Sequence, residues 1–544
     1  MRSKKIWIGR SNCSKDWWNV VNEIRGTKSK CNLTSILTDF SNKSVAADFL
    51  NNLFSSALSP DHSSVSTESV SIAGQSEGSW APPIELLEVY NSLTRLKSTS
   101  CGSDGIPNRL YKEGAAFLAE PLCHIFNSCL FQCVMPKIWK LADICALPKT
   151  SPPRIDALRP ISLLPSPSKL LEKFILQRVK HHFLKNVDTF QFAYMPKSST
   201  TCALVYLFNC LTSLLDDSDA LGAVMLSLDY TKAFDTICHR TLINKLTLCN
   251  FPQGFVSWVS SYLSDRRQRT RLGEVTSCSS VVRSGVPQGS VIGPFLFILY
   301  TSNLMTDLDC QYVKYADDTT LILKIHKSHA NRFERYLCDI FESIKTQSSE
   351  VNLLLNINKS KLLFIPKSAI CPRVSIPGVQ SVESLQLLGV TFNSSLSWDD
   401  HFYNVLKKCN RRLYALRILK PICDEHQLRV AYFSLIHSVL SYCGPLFMSL
   451  PKKTFKKIQT FARRCHKIIH DPDCNCKVTH SFESFFTNMA LKLFNAAQSN
   501  DHPLHSLIPR RLPRSNRWEV NFSRTLRRQR SFPCNVVLFL NSFT

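Results

Sequence analysis

Tyr312-Val313-Lys314-Tyr315-Ala316-Asp317-Asp318-Thr319-Thr320-Leu321-Ile322-Leu323 decides how this chain is read. Two apolar, β-prone runs, 312–315 and 319–323, flank a short polar step that holds Asp317 and Asp318. Such a pair of runs predicts a β-hairpin with the acids at its tip. Neighbouring side chains in a strand point to opposite faces. At a hairpin tip that alternation relaxes, and both carboxylates can approach one point. Like charges so placed cost free energy unless a cation neutralises them. A hard divalent ion held by oxygen ligands is the natural partner, and Mg²⁺ is the usual choice in phosphoryl transfer. The tetrapeptide Tyr-x-Asp-Asp also arises by chance, so the rest of the chain has to decide.

The chain has 544 residues, enough for about three or four domains. An apolar fraction of 44% is compatible with a large core. Lys and Arg number 66 against 41 Asp and Glu, a net charge of +25. That excess points to a polyanion, and at this size to nucleic acid. The 22 cysteines have no regular spacing, and Met1-Arg2-Ser3-Lys4-Lys5 leads into no apolar signal region. Reduced thiols in an intracellular protein are therefore expected, not a disulfide framework. The longest apolar stretch, 291–300, is too short to span a bilayer and contains Gly293 and Pro294. No transmembrane helix and no membrane partner are expected. Basic clusters such as Arg510-Arg511 serve nuclear import or RNA binding equally well, so nucleus and cytoplasm both stay open.

Along the chain, residues 1–57 read as a helical, basic connector with Trp17, Trp18, Val21 and Ile24 at helical spacing. Residues 58–80 read as a flexible, Ser-rich linker. Pro82 and Pro83 open a helix carrying Leu86, Leu87, Tyr90, Leu93 and Leu96. Ala223 to Leu228 predicts a strand covered on both faces and ending at Asp229. Helices are expected at 236–248 and 328–348, and strands at 353–355 and 361–365. From 396 the pattern is helical. Residues 402–419 carry Lys407, Lys408, Arg411, Arg412 and Arg417 on an amphipathic helix, and 455–469 are similar. The tail holds Arg510, Arg511, Arg514, Arg517, Arg524, Arg527, Arg528 and Arg530 among aromatics.

Asp229 ends its strand well before the 317–318 pair in sequence. A third carboxylate arriving from a separate strand would complete an oxygen-rich cage for two metal ions. Such a pair activates an attacking 3′-hydroxyl and neutralises a triphosphate and its leaving pyrophosphate. Phosphoryl transfer asks little else of a protein, because it depends on positioning and electrostatics.

Other segments stand around these acids in a fixed order: Ser100-Cys101-Gly102-Ser103-Asp104-Gly105-Ile106-Pro107, Leu158-Arg159-Pro160-Ile161-Ser162-Leu163-Leu164, and Gln191-Phe192-Ala193-Tyr194 with Ser199-Thr200-Thr201. Then come Leu228-Asp229-Tyr230-Thr231-Lys232-Ala233-Phe234-Asp235, the run from Gly285-Val286-Pro287-Gln288-Gly289 to Pro294, and the Tyr315 hairpin. Leu355 to Lys361 follows, then Leu387-Leu388-Gly389-Val390 with Trp398 and His401. This order resembles the reverse transcriptases of non-LTR, LINE-like retrotransposons, strongly over about 95–400. The matches correspond to an N-terminal extension motif, two fingers motifs and motifs A to E.

The resemblance implies an α/β (α+β) right-hand polymerase. Fingers with the N-terminal extension would occupy 81–222, an antiparallel-sheet palm 223–395, a helical thumb 396–500 and a basic tail 501–544. Asp229, Asp317 and Asp318 would be catalytic and hold two Mg²⁺, with Mn²⁺ a possible substitute, and the Tyr230 carbonyl would add a ligand. Phe234 falls at the steric-gate position that disfavours a ribose 2′-OH. Gln288 and Gly289 would lie against the incoming nucleotide and template base. Lys149 and Arg159 would grip the triphosphate, and Lys359 would protonate the leaving pyrophosphate. Arg411, Arg412, Arg527 and Arg528 would meet the nucleic acid backbone. The implied partners are template RNA, a DNA primer or target, and dNTPs.

Plainer readings stand beside these. Asp235 is either catalytic or a structural hydrogen bonder or helix N-cap. Phe234, outside its motif, is a core residue, and Lys359 a solvated lysine. Cys474, Cys476 and His480 have some metal flavour but lack a fourth zinc ligand at recognised spacing. Trp518, Phe522 and Phe532 either stack bases or pack in a core. The chain departs from the family at Ser302-Asn303-Leu304, where an amide replaces an acid, and at Met195-Pro196-Lys197. The endonuclease domain that often precedes this region in the family is not expected in this sequence, which would leave target nicking to an endonuclease supplied in trans. The rival functions are an RNA-templated RNA polymerase and a catalytically idle nucleic-acid-binding remnant of a mobile element.

Overall fold

The computed structural model describes residues 37, 40–56, 80–97, 101–150, 152–470, 481–512, 517–520 and 523–542. The expected helix around Trp17, Trp18, Val21 and Ile24, nearly all of the 58–80 linker, Ser100, Arg514, Phe522 and the Cys474, Cys476 and His480 group lie outside them. Among the described residues no helix is long and apolar enough to cross a membrane.

The first sheet contains strands β1 (Leu141–Pro148), β2 (Leu158–Leu163), β4 (Arg267–Leu272), β5 (Val275–Thr276) and β6 (Ser280–Val281). β1 pairs antiparallel with β2 and parallel with β4. The span expected to be palm thus lends 267–281 to this fingers-side sheet. The end of the basic connector docks there as helix Lys43–Ser56. Ala46, Ala47, Leu50 and Phe54 pack on Ala142, Ile144, Leu158 and Leu272. Asn51 fixes the contact, donating from Nδ2 to the Cys278 carbonyl at 3.0 Å and to Ser280 Oγ at 2.8 Å.

The central sheet runs β10–β9–β3–β8–β7. Its strands are β3 (Ala220–Leu228), β7 (Gln311–Tyr315), β8 (Asp318–His326), β9 (Lys361–Pro366) and β10 (Gln380–Val382). β3 pairs antiparallel with both β8 and β9, so it is the buried centre of the sheet. Its alternation is that of a strand covered on both faces. Val224, Leu226 and Leu228 enter one core and Ala223 and Met225 the other. The second core continues through helix Thr200–Asp216, which Ser199 caps, into the C-terminal helices. That helix falls within the expected fingers span but packs beneath the palm sheet.

β11 (Ser384–Leu387) and β12 (Val390–Asn393) form a hairpin with a two-residue turn at Leu388-Gly389. Both turn residues have positive φ, +45° and +85°, as a primed turn requires. The thumb follows as helices Asp399–Leu419, Glu425–Tyr432, Lys452–Ile469 and Phe482–Ala497. Lys452–Ile469 buries Phe455, Ile458, Phe461, Ala462, Cys465 and Ile469, a helical stripe that turns its lysines outward. The tail is not detached. Phe532, Val536 and Val537 are buried in the second core, and Trp518 packs edge-on to Phe494 at 4.9 Å.

Several boundaries move. The long helix runs Phe333–Glu350, and the earlier one starts at His239. Residues 353–355, expected as a strand, form a loop whose ladder contact is a single bridge from Leu355 to Tyr230.

His401 sits at the thumb base, 4% exposed, stacked on Phe447 at 5.1 Å. Burial pulls its imidazole from the ordinary 6.5 down to about 4. The folded state therefore holds a neutral ring while the unfolded chain protonates. Stability is fully present above pH 6.5 and is lost as pH falls towards 4, by up to about 3 kcal/mol. Urea unfolding of the wild type should show this acid loss, and His401→Gln should flatten it between those pH values.

Candidate active site

The β7–β8 hairpin pairs Tyr315 with Asp318 and leaves Ala316 and Asp317 as its two-residue turn. β8 continues antiparallel to β3, with Thr319 opposite Leu228 as the last pair. One residue further, Asp229 leaves β3 beside Asp318, where facing Cα atoms are about 5 Å apart. The register alone therefore delivers the third acid to the other two.

The end of β3 is also clamped. The Asn356 amide donates to the Asp229 carbonyl at 2.8 Å, and the Asp229 amide donates to Ser360 Oγ at 3.3 Å. The Thr231 amide donates to the Leu354 carbonyl at 2.8 Å. This is what the 353–355 segment does in place of strand pairing.

Charge is crowded at this point. Burial and the Asp317 charge raise the Asp229 carboxyl, against the pull of Lys359 and Lys149. Asp318 keeps an exposed side, yet its carboxyl is pushed up to about 6, first by desolvation among the groups packed round it, then by Asp317 and Asp229, with Arg159 opposing. Thus Lys149 and Arg159, from the β1–β2 hairpin, and Lys359, from the loop before β9, all lie within electrostatic reach of the acids.

The all-oxygen donor set and its mutual repulsion fit a hard dication. Among the described residues, however, no three acidic, histidine or cysteine side chains close around a single point as a finished cage. The acids form an open cluster that leaves coordination to other oxygens. Tyr230 is buried directly after Asp229.

Phe234 is half-buried and stacks on Phe297 at 4.3 Å and 16°. Its backbone accepts from the Val286 amide at 2.9 Å, tying motif A to motif B. Asp235 accepts from Gln288 Nε2 at 2.8 Å and caps no helix, the next N-cap being Cys238. Gln288 therefore spends its side-chain amide on Asp235, while its carbonyl accepts from the Ser162 amide at 2.7 Å. Gly289 has φ +117°, and a Cβ there would meet the Ser162 carbonyl oxygen at 2.7 Å. Only glycine lets motif B lie this close to β2.

The arginine expectations divide. Arg411 and Arg527 are exposed. Arg412 is half-buried, and its guanidinium donates to the Leu435 carbonyl in the next helical segment. Arg528 is half-buried and donates to the Asn209 carbonyl at 2.9 Å, which pins the tail to helix Thr200–Asp216. Phe532 is core, 2% exposed. A groove of about 410 Å³ between two thumb helices is lined by Lys453, Lys456, Lys457, Arg464, Leu406 and Phe461 among others, with no acidic residue.

Several supports had no signal in the sequence. Glu172 is fully buried and accepts from the Val291 and Ile292 amides at 2.7 and 3.2 Å, anchoring the helix after motif B. Lys314 and Asp188, each 3% exposed, form an ion pair at 2.7 Å under the acid hairpin. Removing one partner of such a buried pair costs about 3–5 kcal/mol.

A family model described as reverse transcriptase (RNA-dependent DNA polymerase) matches residues 147–392. The chain is 28% identical over 406 residues to a probable RNA-directed DNA polymerase from transposon BS of Drosophila melanogaster, covering 71% of this chain and 44% of that protein. It is 29% identical over 341 residues to the RNA-directed DNA polymerase from mobile element jockey of the same species, covering 59% and 36%. It is 25% identical over 479 residues to the jockey protein of Drosophila funebris, covering 80% and 51%. The chain thus spans about half, or less, of the length of these relatives.

Gly289→Ala should destabilise the protein by about 1–3 kcal/mol through forced positive φ alone, with the Ser162 clash adding to it. Chemical denaturation of the two proteins checks the difference.

Proposed function

We propose that this chain, whose residues 147–392 match a reverse transcriptase family model, is an RNA-directed DNA polymerase of the kind found in non-LTR retrotransposons. It would extend a DNA primer along template RNA with dNTPs. The observation that carries the reading is the β3–β8 register, which brings Asp229 beside Asp317 and Asp318.

Asp229, Asp317 and Asp318 would hold two divalent ions, with the Tyr230 carbonyl as a further oxygen. Mg²⁺ suits the hard donor set, and Mn²⁺ would substitute. When bound, the ions would acidify the primer 3′-hydroxyl and neutralise the triphosphate and leaving pyrophosphate. Lys149 and Arg159, exposed and electrostatically coupled to the acids, would orient the triphosphate. Lys359 would deliver a proton to the departing pyrophosphate oxygen, a role supported by its place within electrostatic reach of Asp229.

Phe234 would exclude a ribose 2′-OH. Its ring is held by Phe297, so it cannot swing aside freely. Gln288 and Gly289 would act through the backbone of motif B, with Asp235 fixing the loop. Exposed Arg411 and Arg527, with the lysine-lined thumb groove, would meet phosphates of template and primer.

Primer extension on poly(rA)/oligo(dT) with dTTP and Mg²⁺ tests the proposal. Incorporation should fall by about 10³-fold or more in Asp317→Asn, the loss of several kcal/mol of charge stabilisation. Template binding without incorporation by the wild type would refute the polymerase. Phe234→Val should raise use of UTP relative to dTTP by at least about tenfold, and an unchanged ratio would remove Phe234 from the gate.

A further inference from the structure

We infer that Gln191 is the positioning residue of the acid-bearing turn. The inference rests on the two-ion reading above and deepens it.

Ala316 opens the turn at φ +57°, a left-handed conformation that a residue with a Cβ adopts only when its surroundings enforce it. Its amide donates to Gln191 Oε1 at 3.0 Å. The same oxygen accepts from the Ala193 amide at 2.9 Å. Gln191 is 3% exposed. Its Nε2 is buried without a hydrogen-bond partner among the described residues. The fold therefore uses this side chain for its acceptor oxygen alone.

Gln191 is itself immobile. Its amide donates to the Asp188 carbonyl at 3.0 Å. The flanking backbone joins β7 as a short parallel bridge: the Phe192 amide donates to the Lys314 carbonyl, and the Lys314 amide to the Phe190 carbonyl, both at 2.9 Å. The buried Asp188–Lys314 pair locks the same two segments together. A rigid frame thus presents one oxygen to the amide between Tyr315 and the acids. Gln191 acts through that backbone, and among the described residues no hydrogen bond joins it to a carboxylate. An asparagine would be too short to reach, and a glutamate would add a like charge beside the acids.

Gln191→Met keeps the length and removes the acceptor. Backbone amide exchange at Ala316 should speed up about tenfold, the loss of one hydrogen bond. The Mg²⁺ concentration that gives half of the maximal thermal stabilisation should rise by a similar factor, and kcat should fall while KM for dTTP holds. Ala316→Gly should restore most of each loss in the Gln191→Met background, because glycine reaches φ +57° without the hook. Losses that multiply in the double variant, or unchanged exchange at Ala316, overturn the inference. If Gln191→Met does not fold, exchange in the unaltered protein decides: strand-like slowness at Ala316 supports the hook, and open-turn exchange overturns it. Mg²⁺ stabilisation that survives Asp318→Asn sinks the two-ion reading instead, independently of what Ala316 does.

Discussion

The antiparallel register between β3 and β8 is the constraint on which the site depends. A slip of one residue would turn every side chain of β3 to the opposite face. It would exchange the residues that fill the two cores, Val224, Leu226 and Leu228 for Ala223 and Met225, and carry Asp229 away from Asp318. The register is held from both sides, because β3 pairs with β8 and β9 and feeds a separate apolar core on each face. Hydrophobic burial thereby fixes the position of an arrangement that electrostatics alone would push apart.

The repulsion among the acids is contained by polar groups buried nearby. Lys314 with Asp188, Gln191, Glu172, Asn356 and Ser360 each satisfy backbone or charge at a junction between segments. None of them has a substrate as its partner in the proposed reaction. Their common effect is to fix the ends of strands and turns, where the chain leaves regular pairing and would otherwise have freedom. Preorganisation of this kind is how a site built from scattered segments keeps its geometry.

Charge along a helix proved a poor guide to charge at a surface. Arg411 and Arg412 are neighbours, yet one faces solvent and the other closes a helix turn. Arg527 and Arg528 divide in the same way. A guanidinium that donates to carbonyls inside the fold is held in place by them, whichever way its neighbour points. The tail that reads as a basic extension is stitched to the palm through Arg528 and sealed with Phe532, since its apolar residues match a gap in the second core.

Local pattern in the chain was enough to specify most elements and their order. The acid hairpin, the doubly covered strand before Asp229 and the amphipathic C-terminal helices all follow from periodicity and turn chemistry, which act over a few residues, while motif B was legible only through the family resemblance. Long-range packing alone determined that Asp235 accepts from Gln288, that Leu354 and Asn356 bond Thr231 and Asp229 where a strand was expected at 353–355, and that β4 to β6 join the sheet of β1 and β2. It also settled that a glutamine far upstream holds Ala316. These facts rest on hydrogen bonds and pairings between residues tens to hundreds of positions apart. A single polar side chain carries no local mark of which distant backbone group it will satisfy, because that is set by the packing that brings the two together.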